Sequence, residues 1–243
     1  MTDIHCHIIP GVDDGAGNLD DGLEMARLAQ TSGVTHIIAT PHCNIPGSFA
    51  NRWTPALSAR FQTLKQALKN RGIGVELHAG QEIYLTRQVP ELLRRGELIT
   101  LAGSRYLLVE FGPEETEGMA LRKLQQILAE GYTPIVAHPE RYGFFTEDKN
   151  AMYRLKEIGA LLQINKGSLK GRFGRRALAC ADRMLRHRQA DFVASDAHSQ
   201  YSRTPYLADV HELLCEGYDA DYAELLLREN PRRVIENQPV FGG

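Results

Sequence analysis

The hydrophobic positions of this chain fall into two kinds of segment that alternate along its length. Short apolar runs rich in β-branched residues predict buried strands, and longer stretches with helical spacing predict the helices between them. Strands that alternate with helices favour a parallel sheet covered on both faces. After a first strand that ends near residue 7, strands are predicted over residues 34–40, 75–79, 106–111, 134–137, 161–164 and 192–194.

The predicted helices have recognisable ends. Asn18 should cap the first helix, which ends before Gly33, and Thr54-Pro55 should begin the second, which ends before Gly72. Helices are also predicted over residues 119–130, 150–158 and 177–188, with a helix pair filling about 205–237. Six or seven β-α units favour a closed barrel, and no linker or repeat divides residues 1–243, so a single domain is expected.

Composition excludes several classes of protein. The 243 residues carry a net charge of −2, which argues against a nucleic-acid partner. The four cysteines are scattered without a CxxC pair, as expected for reduced thiols in the cytoplasm. Neither a signal peptide nor an apolar run of the ~18 residues needed for a membrane span is present, so we expect a cytoplasmic protein. The oligomeric state is left open.

Residues that bind metal ions stand at or near the carboxyl ends of six predicted strands. Barrel active sites collect at these ends, with contributions from several strands. In HxH, alternation along the strand places both histidines on one side. The histidines at positions 36, 78, 187 and 211 are assigned no role. The nine candidate ligands are His5, His7, Asp14, His42, Glu82, Glu110, His138, Asp196 and His198.

The charges of these candidates require cations. Four of the nine are carboxylates, which would repel one another and retain protons if crowded together alone. Two or three divalent ions would reverse this, and three would leave a surplus of about two positive charges, which suits a phosphate dianion. Imidazole mixed with carboxylate favours Mn, Fe or Zn over Mg or Ca.

Several motifs together resemble a known superfamily. HxH near the N-terminus, Thr-Pro-His, a strand-end Glu, Ala-His-Pro and Asp-x-His are similar to the PHP (polymerase and histidinol phosphatase) superfamily. The longer blocks HCHIIPGVDDGA, ATPH, GQEIY, SRYLLVEF, AHPERY and SDAH resemble the bacterial manganese-dependent protein-tyrosine phosphatases of capsule and exopolysaccharide operons. The resemblance covers nearly the whole chain. It implies a distorted, TIM-like (β/α)7 barrel that holds three metal ions, with Mn²⁺ the expected ion.

The resemblance also implies roles for individual residues. One ion would be held by His5, His7, Glu82 and Asp196, a second by Glu82, Glu110 and His138, and a third by Asp14, His42 and His198. Arg141 and Arg203 match the arginines that bind phosphate and act in catalysis. The implied substrate is a phosphotyrosine protein, namely the tyrosine-rich tail of a bacterial autokinase that controls capsule or exopolysaccharide synthesis.

The expected chemistry is hydrolysis of phosphotyrosine by water that metal ions activate. Tyrosine is a good leaving group because its pKa is near 10. A rival signature, the Cys-x5-Arg pattern from Cys180 to Arg186, is judged accidental because the intervening residues favour a helix without glycine. The general acid is not identified.

Alternatives remain at this stage. The nearest is a small-molecule phosphatase of the same superfamily, such as histidinol phosphatase, and a non-catalytic module with a structural metal cluster is a third possibility.

In the rim segment 44–53, Phe49 or Trp53 could stack on the substrate ring, or Trp53 could pack under the second helix. A basic cluster could steer an acidic phosphopeptide or form a solvated surface; it comprises Lys166, Lys170, Arg172, Arg175 and Arg176.

Overall fold

The strands were located in a computed structural model, which describes residues 1–148 and 150–242. All pairings between the strands in this part of the chain are parallel. The strands are β1 (Thr2–Cys6), β2 (His36–Ala39), β3 (His42–Cys43), β4 (Glu76–Ala79), β5 (Glu82–Tyr84), β6 (Tyr106–Glu110), β7 (Thr133–Ala137), β8 (Leu161–Asn165) and β9 (Phe192–Ala194).

Helices connect most of these strands. They are α1 (Leu19–Thr31), α2 (Pro55–Asn70), α3 (Val89–Arg94), α4 (Glu117–Ala129), α5 (Gly143–Thr146), α6 (Ala151–Glu157), α7 (Lys166–Leu169), α8 (Gly174–Arg186), α9 (Ala208–Gly217), α10 (Ala220–Glu224) and α11 (Asn230–Ile235). Short 3-10 turns cover Leu101–Gly103 and Pro139–Arg141, and a π-helical turn covers Leu225–Glu229. No helix in the described ranges is both long and apolar enough to cross a membrane.

The predicted helix ends are confirmed where side chains cap the backbone. The side chain of Asn18 accepts a hydrogen bond from the N–H of Asp21, and that of Thr54 accepts one from Leu57. Gly33 and Gly72 follow the two helices with φ of 83° and 65°, a conformation that favours glycine. The helix pair predicted over residues 205–237 is wrong in number, because this segment contains three α-helices and the π-helical turn.

The strand order gives the distorted TIM-like (β/α)7 barrel that the sequence predicts. One sheet has the order β1-β2-β4, and the other runs β3-β5-β6-β7-β8-β9. The segment after β9 returns to β1 through a bridge between Cys6 and Ala197 and a 2.9 Å hydrogen bond from the N–H of Asp196 to the carbonyl of His5. The ring of strands is therefore linked by hydrogen bonds, but it is not one continuous ladder.

Two interruptions account for the distortion. Between β2 and β3 stands Pro41, which has no N–H to donate to a ladder. Between β4 and β5 stands Gly80, where an added Cβ would lie 2.8 Å from Ile38 Cγ2 and 2.9 Å from Leu101 Cδ2. Each interruption comes before a candidate ligand, so the chain changes direction just ahead of His42 and Glu82, which begin β3 and β5 and pair with each other.

The hydrophobic core has two parts, one on each face of the strands. The larger cluster joins the helices to residues such as Leu107 and Val109, and the smaller contains Tyr106, Leu108 and other residues on the opposite face. Side chains alternate along a strand, so Glu110 continues the face of Tyr106 and Leu108 at the carboxyl end of β6. The candidate site thus lies above the smaller core cluster.

Candidate metal centre

The structure brings all nine predicted ligands together at the carboxyl ends of the strands. They form four groups whose ligand atoms lie within 4.8 Å of one another. Each group shares a member with another, so the four make one continuous centre. The groups are His7 with Asp14, His42 and His198; His5 with His7 and Asp196; His5 with Glu82 and His138; and His42 with Glu82 and Glu110.

This grouping differs in detail from the ligand sets that the resemblance implies. His138 lies with His5, and Glu110 lies with His42, although both groups contain Glu82. The carboxylate of Glu82 is fully buried and lies 2.9 Å from His138 Nε2 through one oxygen and 2.9 Å from His42 Nδ1 through the other. Glu82 is therefore the side chain that joins the two ends of the centre.

The two histidines of the first strand are fixed by residues to which the sequence analysis assigned no role. Nδ1 of His5 lies 2.9 Å from Gln163 Oε1, and Nδ1 of His7 lies 2.8 Å from Asp13 Oδ2. Both oxygens are acceptors, so each Nδ1 carries a proton and each Nε2 is the nitrogen left to bind a metal ion. The two Nε2 atoms face each other at 3.2 Å.

These positions suit bound cations. Two nitrogens that bind one ion at about 2.0–2.1 Å lie roughly 3.0–3.4 Å apart, so the 3.2 Å between these Nε2 atoms suits a shared ion. Glu82 Oε2 and His198 Nε2 are buried and make no hydrogen bond of regular geometry within the described residues, although ionisable groups lie 2.9 Å and 3.3 Å away. Buried polar atoms are normally satisfied, so these atoms point to missing positive charge. The donor set therefore fits divalent metal ions.

The charges of the side chains in the centre support the same reading. Burial opposes the charged form of Glu82, but His5 and His42 hold the pKa of Glu82 well below its usual range. Burial raises the pKa of Glu110, and the neighbouring Glu82 carboxylate raises it further. Burial opposes the charged form of His42, but the carboxylates of Glu82 and Glu110 raise the pKa of His42 to about 10. Protons thus stand where cations would compensate the carboxylates.

The backbone is strained at three positions of the site. His138, Asp196 and Arg203 have φ of 38°, 49° and 48°, in the left-handed region that non-glycine residues rarely adopt. Backbone hydrogen bonds hold all three residues in place. In one of these bonds, 2.8 Å long, the N–H of His198 donates to the carbonyl of Arg203. Strain of this kind persists where the surrounding structure fixes a functional geometry.

The glycine loop after the first strand holds Asp13 and Asp14 against His7. Gly15 packs on the backbone of His7 so closely that a Cβ would lie 2.1 Å from the His7 carbonyl oxygen. Asp13 Oδ2 also accepts a 2.9 Å hydrogen bond from the N–H of His42, and its Oδ1 accepts one of 3.0 Å from Gly15. The fully buried Asp13 therefore fixes both strand ends rather than facing the ions itself.

Both predicted arginines converge on Asp196. Arg141 Nη1 lies 3.2 Å from Asp196 Oδ2, and Arg203 Nη2 lies 2.5 Å from Asp196 Oδ1. Their side chains remain 31% and 25% exposed, so a ligand can reach them. The Arg141 guanidinium lies 4.3 Å from the centre of the Phe173 ring, a cation–π contact. Gly167 allows this, since a Cβ there would lie 2.8 Å from Phe173 Cε2.

The structure separates the two aromatic residues of the rim segment. Phe49 stacks on His42 with ring centroids 5.8 Å apart and an angle of 6° between the planes. Trp53 instead packs edge-on against Phe61 of α2, with centroids 6.1 Å apart. Of the two, Phe49 is therefore the aromatic side chain at the candidate centre.

Side chains outside the centre fall where the sequence places them. Cys180 is buried in the middle of α8, and burial raises the pKa of its thiol to about 11, so it is not a poised nucleophile. His187 caps α8, and His211 contacts Glu224 at 3.0 Å. His36 and His78 form a separate group with Glu76, and His36 and Glu76 stand at the amino ends of β2 and β4.

Comparison with known proteins places the chain in a family. Residues 1–236 match the family described as capsular polysaccharide synthesis, CpsB/CapC. The chain belongs to the CpsB/CapC family. It is 36% identical over 241 residues to tyrosine-protein phosphatase YwqE from Bacillus subtilis, covering 99% of this chain and 94% of that protein.

Solved structures agree with this membership. One match comes from the crystal structures of YwqE from Bacillus subtilis and CpsB from Streptococcus pneumoniae, which are described as metal-dependent tyrosine phosphatases. Its TM-score is 0.92 and its sequence identity is 35%, over 100% of this chain and 97% of that one. Histidinol phosphate phosphatase from Lactococcus lactis matches with a TM-score of 0.52 and 13% identity, over 93% of this chain and 94% of that one. At that identity only the fold is shared.

Proposed function

We propose that this protein is a metal-dependent protein-tyrosine phosphatase, a phosphoric monoester hydrolase. The observation that carries the proposal is the meeting of two partly exposed guanidinium groups with Asp196, a member of the metal-capable centre. Guanidinium groups bind phosphate oxygens in a bidentate manner, and divalent ions bind the same oxygens. The printed activities of the CpsB/CapC relatives point to the same reaction.

The nine side chains of the centre would hold the ions. We propose three divalent ions, Mn²⁺ in preference to Fe²⁺ or Zn²⁺, on the ligand sets that the sequence resemblance implies. The overlapping groups around His7 and Glu82 support more than one ion, since each of these residues belongs to two groups. When bound, the ions supply Lewis acidity, which neutralises phosphate charge and lowers the pKa of water.

The residues of this chain supply binding and orientation. Arg141 and Arg203 would take the phosphate oxygens and stabilise the charge that grows on them in the transition state. Phe173 holds the Arg141 guanidinium at one side of the site. Phe49, which lies over His42, offers a ring face for the leaving tyrosine.

We further propose that residues 1–243 act as one domain and that the natural substrate is a phosphotyrosine protein, the tail of a bacterial tyrosine autokinase. The domain proposal is supported by the strand order, which runs from β1 to β9 and back to β1. The substrate proposal is supported by the exposed residues on both sides of Phe49, by the two partly exposed arginines and by the capsule-synthesis description of the family.

Metal exchange tests the function and its alternative. The protein is stripped of metal, reloaded separately with Mn²⁺, Zn²⁺, Fe²⁺ or Mg²⁺, and assayed on a phosphotyrosine peptide, a phosphoserine peptide and histidinol phosphate. We expect turnover of the phosphotyrosine peptide to exceed that of the others and to be lost in His138→Ala. Equal rates on all three substrates would contradict the assignment to tyrosine, and a preference for histidinol phosphate would support the small-molecule alternative.

A further inference from the structure

A cavity of about 480 Å³ opens beside the candidate centre. Arg203 lines this cavity and also contacts Asp196 Oδ1 at 2.5 Å. Asn165 lines it as well and donates a hydrogen bond to the other oxygen of Asp196. A group bound in the cavity would therefore lie next to a phosphate held by Arg203.

The cavity is strongly basic. Its lining contains Lys166, Lys170, Arg172 and Arg203 against a single carboxylate, Asp209, a formal excess of three positive charges. Asp209 lies 2.5 Å from the ammonium of Lys170 and 3.6 Å from that of Lys166. Within residues 1–148 and 150–242, Arg172 forms no ion pair. We name this space the basic cavity.

The wall of the basic cavity is fixed rather than loosely arranged. The side chain of Lys166 is only 8% exposed, and its ammonium donates a 3.1 Å hydrogen bond to the carbonyl of Thr204 and another to that of Tyr206. These bonds hold the segment that carries Arg203 against α7. Tyr201 stands beside the cavity and is 86% exposed. A cationic recess with an exposed aromatic at its side suits a flexible acidic chain better than a flat surface.

We propose that the basic cavity binds an acidic side chain next to the phosphotyrosine, so that the enzyme selects phosphotyrosine sites flanked by Asp or Glu. This inference rests on the proposed phosphatase function and names the substrate class of the same site. An unpaired guanidinium at a concave surface attracts a carboxylate and gives specificity through charge complementarity. The effect differs from general steering, because only the residues that line the cavity should matter.

Arg175 offers a matched control. It is exposed, as Arg172 is, and lies nearby in the sequence, but it does not line the cavity. Arg172→Glu and Arg175→Glu change the net charge equally, and Arg175 is in the first turn of α8, where Glu suits the helix dipole. General steering would be weakened equally by both variants, whereas a cavity contact would be weakened only by the first.

The experiment uses two phosphotyrosine peptides that differ only in flanking Glu or Gln residues. For wild type, Arg172→Glu and Arg175→Glu, all loaded with Mn²⁺, the ratio of kcat/KM between the acidic and the neutral peptide is measured. We expect wild type to favour the acidic peptide, and Arg172→Glu to lower the ratio by roughly tenfold. Arg175→Glu should leave the ratio within about twofold, as is usual for an isolated surface charge.

A binding measurement keeps the two proposals separable. Fluorescence anisotropy measures the affinities of labelled acidic and neutral peptides that carry a phosphonate in place of the phosphate. The ratio of the two affinities should fall in Arg172→Glu and stay near the wild-type value in Arg175→Glu. An unchanged ratio in Arg172→Glu, equal losses in both variants, or no acidic preference in wild type would overturn the cavity proposal. If wild type turned over neither peptide, the phosphatase proposal would fail, and the binding ratios would still decide the cavity.

Discussion

Asp13 gives a sharp test of how the centre is built. Its carboxylate accepts hydrogen bonds from His7 Nδ1, the N–H of His42 and the N–H of Gly15, at 2.8, 2.9 and 3.0 Å. Asp13→Asn keeps the shape but removes the charge and one acceptor oxygen. If the amide oxygen stays with His7 and His42, the new NH₂ group faces the N–H of Gly15, where no hydrogen bond can form.

The two losses have different sizes and different readouts. A hydrogen bond to a charged group contributes about 1.5–3 kcal/mol and one between neutral groups about 0.5–1.5 kcal/mol, so the weaker bond to His7 costs roughly 1–2 kcal/mol of metal binding. That corresponds to an affinity about five- to thirtyfold lower, which overlaps the roughly 10–100-fold losses typical of residues that orient metal ligands. The unsatisfied N–H of Gly15 costs a further ~1–3 kcal/mol of folding stability.

Competition with a chromogenic chelator measures the affinity for Mn²⁺, and thermal unfolding of the metal-free protein measures stability. Asp20→Asn is the control, because it removes the same charge from an exposed position in the first turn of α1. We expect both quantities to fall in Asp13→Asn, whereas the control should keep its Mn²⁺ affinity and lose at most about 1 kcal/mol of stability from the helix dipole. A normal Mn²⁺ affinity in a destabilised Asp13→Asn protein would refute the idea that Asp13 orients His7 for metal binding.

Three further predictions concern Phe173, His42 and Cys180. Phe173→Leu removes the ring that lies 4.3 Å from the Arg141 guanidinium. KM and the inhibition constant for inorganic phosphate should therefore rise about two- to tenfold with little change in kcat, and Phe173→Tyr should restore both constants. A fall in kcat alone would contradict this prediction. The pKa of His42 is raised to about 10 when no ion is bound, so the proton that His42 carries at neutral pH must leave when an ion binds. The affinity for Mn²⁺ should therefore increase from pH 6 to pH 8. Isothermal titration calorimetry at several pH values measures this, and an affinity that does not change with pH would contradict the prediction. Cys180→Ser should retain turnover per folded molecule, since the buried thiol has a pKa of about 11 and stays protonated, whereas an inactive folded variant would revive the cysteine mechanism.

The ligands could be found from the sequence because their placement is a local property. Alternation along a strand puts Glu110 on the face of Leu108, and parallel strands end at the same rim. The same reasoning predicts that His5 and His7 share a side, and the 3.2 Å between their Nε2 atoms confirms it.

The supporting residues depend on contacts that no local pattern reveals. Gln163 reaches His5 across 158 positions of sequence, and only the order of the strands makes them neighbours. Phe173 meets Arg141 because Gly167 leaves room for its ring. Asp13 lies close to His7 in sequence, but the sequence does not distinguish Asp13 from Asp14. Only the packing of Gly15 against His7 shows that Asp13 is the residue that points toward His7. The Asp-Asp-Gly run at residues 13–15, in the loop that follows HxH, is the signal that could have suggested this.

Asp196 links the metal centre to phosphate recognition. One of its oxygens lies 3.4 Å from Nε2 of both His5 and His7, and its two oxygens accept contacts from Arg203 and Arg141. A cation bound by Asp196 competes with these guanidinium groups for the same oxygens, so metal binding should release both arginines toward an incoming phosphate. Metal and phosphate binding are then coupled, and each raises the affinity for the other by the same factor. Calorimetric titration of inorganic phosphate into the metal-free and the Mn²⁺-loaded protein measures the coupling, with Arg203→Ala to show the contribution of that arginine. Equal phosphate affinities in the two forms would mean that Asp196 keeps its arginines whether or not the ions are bound.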